Sequence, residues 1–207
     1  MGIVWWSGYL ETNINVKTMD KIKTTHVGSL PRSKRLSEIL FKKDKNELFD
    51  QGELDKLIEE DVDKIVKKQI DIGIDIISDG EMSKISYATY VKDRLHGFSG
   101  ESERRAPKDL DDFPSYKEKI AKSGGTPTYT RPCCTADLKI KDTKSLTKDI
   151  SNLKSALKKN NHSQGFINSA SPGVISNFLP NKFYKNDDKY LEALSKMMKT
   201  EYDEITK

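Results

Sequence analysis

The 207-residue chain has little of what staples small proteins together: two cysteines, three histidines and two tryptophans. The cysteines, Cys133 and Cys134, are neighbours, so neither a disulfide framework nor a zinc-finger spacing can be assembled from them. On a strand their side chains point to opposite faces, which makes them small core residues rather than a paired metal site. No three of the histidines, cysteines and acids fall at zinc-ligand spacing. No apolar run approaches the roughly 18–20 residues that cross a bilayer. A surplus of one charge sign is missing too: 36 Lys and Arg stand against 32 Asp and Glu, a net charge of +4. The two signs are mixed along the chain, which excludes a nucleic-acid footprint. The Lys-rich stretch around 139–159 is interspersed with Asp137, Asp142 and Asp149, lacks an aromatic platform and reads as a solvated face. What is there is 35% hydrophobic and 33% charged residues with clear periodicity, the composition of a soluble, cytoplasmic α/β protein of one domain or slightly more.

Residues 1–18 stand apart. They hold both tryptophans, Trp5 and Trp6, and almost no charge, and they lack a basic n-region, a long apolar h-region and a cleavage site. They read as a leader or upstream non-native segment, with an added edge strand as the alternative. Met19 opens a stretch that looks like a natural start.

From Ile22 onward, strands alternate with helices. Ile22–Val27 is a short strand ended by Gly28-Ser29-Leu30-Pro31. Ser33 precedes a helix through Leu36, Ile39 and Leu40. Leu54, Leu57, Ile58, Val62, Ile65, Val66 and Ile70 follow the i, i+3, i+4 rule of an amphipathic helix that Gly73 ends. Ile74–Ile77 is a buried strand closed by Ser78-Asp79-Gly80-Glu81, so the unit predicts a parallel pair with a right-handed crossover. Tyr87–Leu95 reads as helix, 101–125 as a long excursion, and Arg131–Ile140 as a third strand. Leu146, Ile150, Leu153 and Leu157 mark a helix, Gly165–Asn168 a fourth strand, and Ser169–Gly173 a turn able to open a helix. Tyr190, Leu191, Leu194, Met197, Met198, Tyr202 and Ile205 form the stripe of a last helix.

Four β/α units are half of a (β/α)8 TIM barrel, which takes about 250 residues. The expectation is therefore that residues 19–207 are the N-terminal portion of such a barrel, truncated after Lys207. A complete, open doubly wound sheet is the competing fold, although no Gly-rich nucleotide turn follows the first strand. In a barrel the chemistry sits just after each strand. That gives His26, Gly28, Ser29 and Arg32; then Asp79, Glu81 and Lys84; then Asp137; then Asn168, Ser169, Ser171 and Phe178. Backbone N–H groups around Gly28-Ser29 suit a small carboxylate and Glu81 suits an ammonium, so the pair would grip an amino acid at both ends. Each also has a bland reading: Asp79-Gly80 and Ser29 as turn residues, His26 as a core histidine, Arg32 as a helix-start partner.

The run Thr24-Thr25-His26-Val27-Gly28-Ser29-Leu30-Pro31-Arg32 resembles the opening strand of the cobalamin-independent methionine synthase family, in its short single-barrel branch. Gly73–Met82 (GIDIISDGEM) resembles that family's second strand and Gly-Glu motif, and Phe166–Pro180 (FINSASPGVISNFLP) its fourth. The resemblance spans Lys21–Lys207. It implies a barrel related to uroporphyrinogen decarboxylase and a zinc-dependent transfer of a methyl group to a thiol, homocysteine before others, from folate or another donor. Zinc would keep the attacking sulfur as thiolate. By similarity His26, Val27, Gly28, Ser29 and Glu81 hold the amino-acid end of the thiol, and Phe178 packs on the donor. Thr128-Tyr129 stands about where the family has a donor-contacting Arg-Cys pair. The family's zinc ligands are expected beyond Lys207, so no catalytic or metal-ligating residue is assigned within the chain, which is expected to be inactive alone. Two alternatives accompany this reading: a thiol alkyltransferase of the epoxyalkane–coenzyme M type, and a non-catalytic half-barrel that self-associates through its exposed edges.

Overall fold

Ser33 starts the first helix, α1 (Lys34–Asp44), by accepting a hydrogen bond from the Leu36 N–H at 3.3 Å. Asp50 does the same for Glu53 at 2.7 Å and opens α2 (Gln51–Asp71). Leu36, Ile39 and Leu40 meet Leu54, Ile58, Val62 and Val66, the apolar stripes that the spacing predicts. Asp61 of α2 accepts from the Ser33 N–H at 2.7 Å, tying the start of α1 to the middle of α2. The fold is seen in a computed structural model that describes residues 21–102, 110–122 and 130–207. Residues 1–18, read as a leader, and Thr128-Tyr129 lie outside the described residues.

Gly73, at φ +83°, ends α2 and turns the chain into β1 (Ile77–Ser78). There follow α3 (Val91–Arg94), β2 (Leu95–Ser99), α4 (Pro114–Lys122), β3 (Cys133–Ile140) and α5 (Lys144–Lys159). The chain then runs through β4 (Gly165–Phe166), α6 (Pro172–Phe178) and α7 (Asp187–Thr206). β1 and β4 pair in parallel, Ile77 with Gly165 and Ser78 with Phe166, and an isolated parallel bridge joins Thr25 to Ile76. The central sheet is thus three parallel segments in the order Thr25, β1, β4. α2 and α5 cover it, sharing one apolar cluster with Ile77 and Ile167.

Three sequence expectations change. The first strand is a single bridge at Thr25, with Ile22 88% exposed; the Thr24 N–H goes to the Asp75 side chain, which also takes the Thr24 hydroxyl, and not to a ladder. The helix over Tyr87–Leu95 shrinks to α3: residues 87–90 are turn, and Leu95, extended at φ −119° and ψ 143°, already opens β2. The third strand does not enter the parallel sheet. β3 pairs antiparallel with β2, Leu95 opposite Ile140 and Ser99 opposite Cys133, with an irregularity at Gly97. A side chain at Gly97 would come within 2.9 Å of the Ala136 carbonyl, so the hairpin requires glycine there. The excursion also contains a helix, α4, that the sequence pattern does not announce. Beyond the hairpin, β3 is bridged to Asn181, and α6 and α7 pack over it in a second apolar cluster around Tyr190, Leu194 and Leu179. Among the described residues no helix is long and apolar enough to cross a membrane.

Candidate functional site

After β1 the chain turns through two consecutive left-handed residues, Gly80 at φ +61° and Glu81 at φ +57°. A side chain at Gly80 would crowd Leu30, whose N–H donates to the Gly80 carbonyl at 3.0 Å. Glu81 is not glycine, and a left-handed residue of this kind costs on the order of 1–2 kcal/mol and persists only where its surroundings over-determine it. They do. Arg32 donates from Nη2 to the carbonyls of Glu81 and Lys84, at 2.6 and 2.5 Å, and from Nε to that of Met82 at 3.2 Å. The Glu81 N–H donates to Asp79 Oδ1 at 3.0 Å. Burial draws the Arg32 pKa down, against the opposing pull of Glu81, Asp79 and Asp61. Arg32 therefore acts as the clamp of the loop rather than as a simple helix-start partner.

The Glu81 side chain, 1% exposed, receives the Ser29 hydroxyl on Oε2 at 2.5 Å and the Asn168 side-chain amide on Oε1 at 2.9 Å. Ser29, Glu81 and Asn168, which come from the ends of the three parallel segments, are thus brought together as their strand-end positions predict. Both donors are neutral, and among the described residues no cation lies within 4 Å of the carboxylate oxygens. The backbone N–H groups of Val27, Gly28 and Ser29 bond to no described residue. Gly28, at φ +104°, bends that run. His26 is half-buried, with Nε2 unpartnered among the described residues. Asp79 is buried beside the same loop, and burial pushes its pKa up against the pull of Lys84.

A small pocket opens beside Glu81, walled by Lys84, Tyr87, Asn168, Ser169, Ser171 and Val174. Lys84 is 2% exposed and donates from Nζ to the Asn168 carbonyl, with its ammonium 4.7 Å from the Tyr90 ring centroid. Ser171 is the N-cap of α6, accepting from Val174 at 3.3 Å. Phe178, the last residue of α6, meets Tyr87 edge-on at 5.4 Å, and the Arg131 guanidinium lies 4.9 Å from its ring centroid. Asp137 is not part of the site: it sits exposed on the hairpin and accepts from the Tyr184 hydroxyl at 2.9 Å.

Sequence reasoning missed a buried ionic cluster behind this pocket. Arg94 donates to Glu201 Oε2 at 2.7 Å and to Asp149 Oδ2 at 2.6 Å, and the Tyr90 hydroxyl donates to Glu201 Oε1 at 2.5 Å. Burial pushes the Glu201 pKa up, but Arg94, Lys84 and the Tyr90 and Ser169 hydroxyls outweigh it and hold the carboxyl below its usual range. A signal existed: Asp149 and Glu201 stand on the apolar stripes of α5 and α7, three residues after Leu146 and Met198.

Zinc, which the family resemblance implies, has no ligand set here: among the described residues no group of three His, Cys, Asp or Glu side chains is placed to hold a metal. Both thiols are buried in the hairpin, and burial pushes Cys134 up to about 11.

A family model described as the catalytic domain of cobalamin-independent synthase matches residues 22–148. The 5-methyltetrahydropteroyltriglutamate–homocysteine methyltransferase of Bifidobacterium animalis subsp. lactis is 32% identical over 77 residues, 37% of this chain and 10% of that protein. The enzyme of the same name from Thermosynechococcus vestitus is 27% identical over 82 residues, 40% of this chain and 11% of the other. A solved B12-independent methionine synthase from Shewanella sp. W3-18-1, in complex with selenomethionine, superposes with a TM-score of 0.61 at 19% identity. It covers 88% of this chain and 47% of its own. The chain thus matches about a tenth of the length of these curated relatives and about half of the solved structure.

Proposed function

The chain belongs to the cobalamin-independent synthase family, and on that premise we propose that the Ser29–Glu81–Asn168 cluster binds the amino-acid end of a homocysteine-like thiol whose sulfur accepts a methyl group. One observation carries the reading: Glu81 is a buried carboxylate held by two neutral donors, with no cation on its oxygens among the described residues. The Arg32 guanidinium acts on it only from a distance, its N–H groups being directed at the loop carbonyls, and an ammonium on the carboxylate oxygens would complete it. The N–H groups of Val27, Gly28 and Ser29, unbonded among the described residues, are the donors that would take the carboxylate. His26 completes that wall. The substrate is then gripped at both charged ends, leaving its sulfur free to approach the donor.

In the transfer, the thiol proton passes to solvent, the thiolate electron pair forms the methyl–sulfur bond, and the electron pair of the methyl–donor bond leaves with the donor, which takes up a proton. The role of this chain's residues is to bind and orient. Glu81 and the 27–29 backbone fix the amino acid, and Phe178, in edge-to-face contact with Tyr87, is the aromatic group that would pack on the methyl donor, a folate or another carrier. Zinc, which the resemblance implies, would keep the sulfur as thiolate.

The test is calorimetric titration of the chain with L-homocysteine and with L-methionine. Glu81→Gln should weaken binding by about 1–3 kcal/mol, the worth of a charge-assisted bond. Equal affinity in wild type and Glu81→Gln would remove Glu81 from the site. A thiol that carries a sulfonate but no ammonium should not compete.

A further inference from the structure

The residues that follow β4 leave the ladder, yet Asn168, Ser169 and Ala170 are all buried. Each is held instead by a side chain. Lys84 takes the Asn168 carbonyl. Glu201 accepts the Ser169 hydroxyl at 2.8 Å. The Tyr90 hydroxyl accepts the Ala170 N–H at 3.1 Å, and Tyr202 donates to the Ala170 carbonyl at 2.7 Å. The same three-residue segment forms one wall of the pocket, and its first member supplies one of the two hydrogen bonds on Glu81.

We infer that Lys84 and Glu201 are positioning residues for the Glu81 carboxylate, acting through Asn168. Lys84 lies three residues after Glu81, so one turn of chain meets Asn168 twice, at its side-chain amide and at its carbonyl. Lys84 thus pins the backbone from which the Asn168 side chain reaches Glu81, so a shift of that backbone would loosen both bonds. Glu201 braces the segment from the opposite side, and Tyr90 couples the two braces: its ring lies under the Lys84 ammonium while its hydroxyl donates to Glu201. A purely stabilising role explains this arrangement poorly. A buried ionic cluster is weak evidence for stability, because apolar residues of equal volume often serve as well. Its placement on the wall that carries Asn168 fits preorganisation, in which supporting contacts fix a binding group before the ligand arrives.

The inference rests on Glu81 being the ammonium-binding group, and the experiment separates the two. The Lys84→Met and Lys84→Arg variants are crystallised and titrated with L-methionine, with thermal melts recorded alongside. In Lys84→Met the Asn168 Nδ2 to Glu81 Oε1 distance should open beyond hydrogen-bonding range, and affinity should fall by about tenfold or more. Lys84→Arg, which keeps a donor, should restore the bond and most of the affinity, a rescue that melting temperature alone would not track. An unchanged distance and affinity in folded Lys84→Met would overturn the inference. Where Lys84→Met does not fold, Ser169→Ala, which removes only the hydroxyl on Glu201, takes its place: a longer distance with weaker binding supports the inference, and no change in either overturns it. Wild-type protein that ignores L-methionine would defeat the proposed function, while the Asn168–Glu81 distance in the variants would still decide the positioning role.

Discussion

Two halves of the molecule solve the burial problem in opposite ways. α1, α2 and α5 close over the parallel sheet with aliphatic side chains; the polar groups buried there mostly serve the backbone, Gln69 bonding Ser78 and Asp61 the Ser33 N–H, while Asp44 at the end of α1 meets Lys92. The hairpin with α6 and α7 also has an apolar cluster, but three charged residues, Arg94, Asp149 and Glu201, and the Tyr90 hydroxyl are buried at its border with the first half. The first half is interchangeable in its details, since any well-shaped aliphatic set would serve. The second is specified atom by atom, because each charge needs its named partner. The candidate site lies along the seam between them, where Glu81 comes from the first half and the segment it meets is held by the second.

That contrast is sharpest if broken at Arg94. Arg94→Met should cost about 3–5 kcal/mol in urea unfolding, because two carboxylates stay buried without their cation. Leu36→Ala in the first half should cost about 3 kcal/mol, a cavity in an aliphatic seam. If Leu36→Ala proved much the more damaging, the ionic cluster would not be the more exacting of the two halves. A smaller effect comes from acid. Glu201 is held below its usual range, so its contribution to stability is complete above the ordinary value of 4.5 and is lost as pH falls through the lower folded value. Unfolding midpoints measured from pH 5 downward should therefore fall more steeply in wild type than in Glu201→Gln; parallel slopes would contradict the assignment. The smallest effect is at Ser29. Ser29→Ala removes one of two neutral donors on Glu81 and leaves the backbone N–H groups in place, so ligand affinity should drop by no more than about 1 kcal/mol. A loss equal to that of Glu81→Gln would mean that the hydroxyl itself meets the ligand.

The same division governs what the sequence makes legible. α1, α2, α5 and α7 are readable because an apolar stripe at 3.6-residue spacing is a local property, and Ser33 and Gly73 mark ends by local chemistry. Ser29, Glu81 and Asn168 are readable because strand ends and turn residues announce them. Pairing is not local: nothing in Cys133–Ile140 states whether its neighbour will be parallel or antiparallel, and the partner strand, with the close approach that Gly97 permits, lies far back in the chain. Nor do Arg94 and Glu201, 107 residues apart, reveal each other. Their only trace is a charge on an otherwise apolar stripe.

The separation of the site's own members has a further consequence. Ser29 and Glu81 are 52 residues apart, and Glu81 and Asn168 are 87. A ligand gripped by all three recognises only a chain in which both long loops have closed, and gains nothing from partly assembled forms. Bound amino acid would therefore act as a thermodynamic latch on the finished fold, raising its stability with the logarithm of ligand concentration.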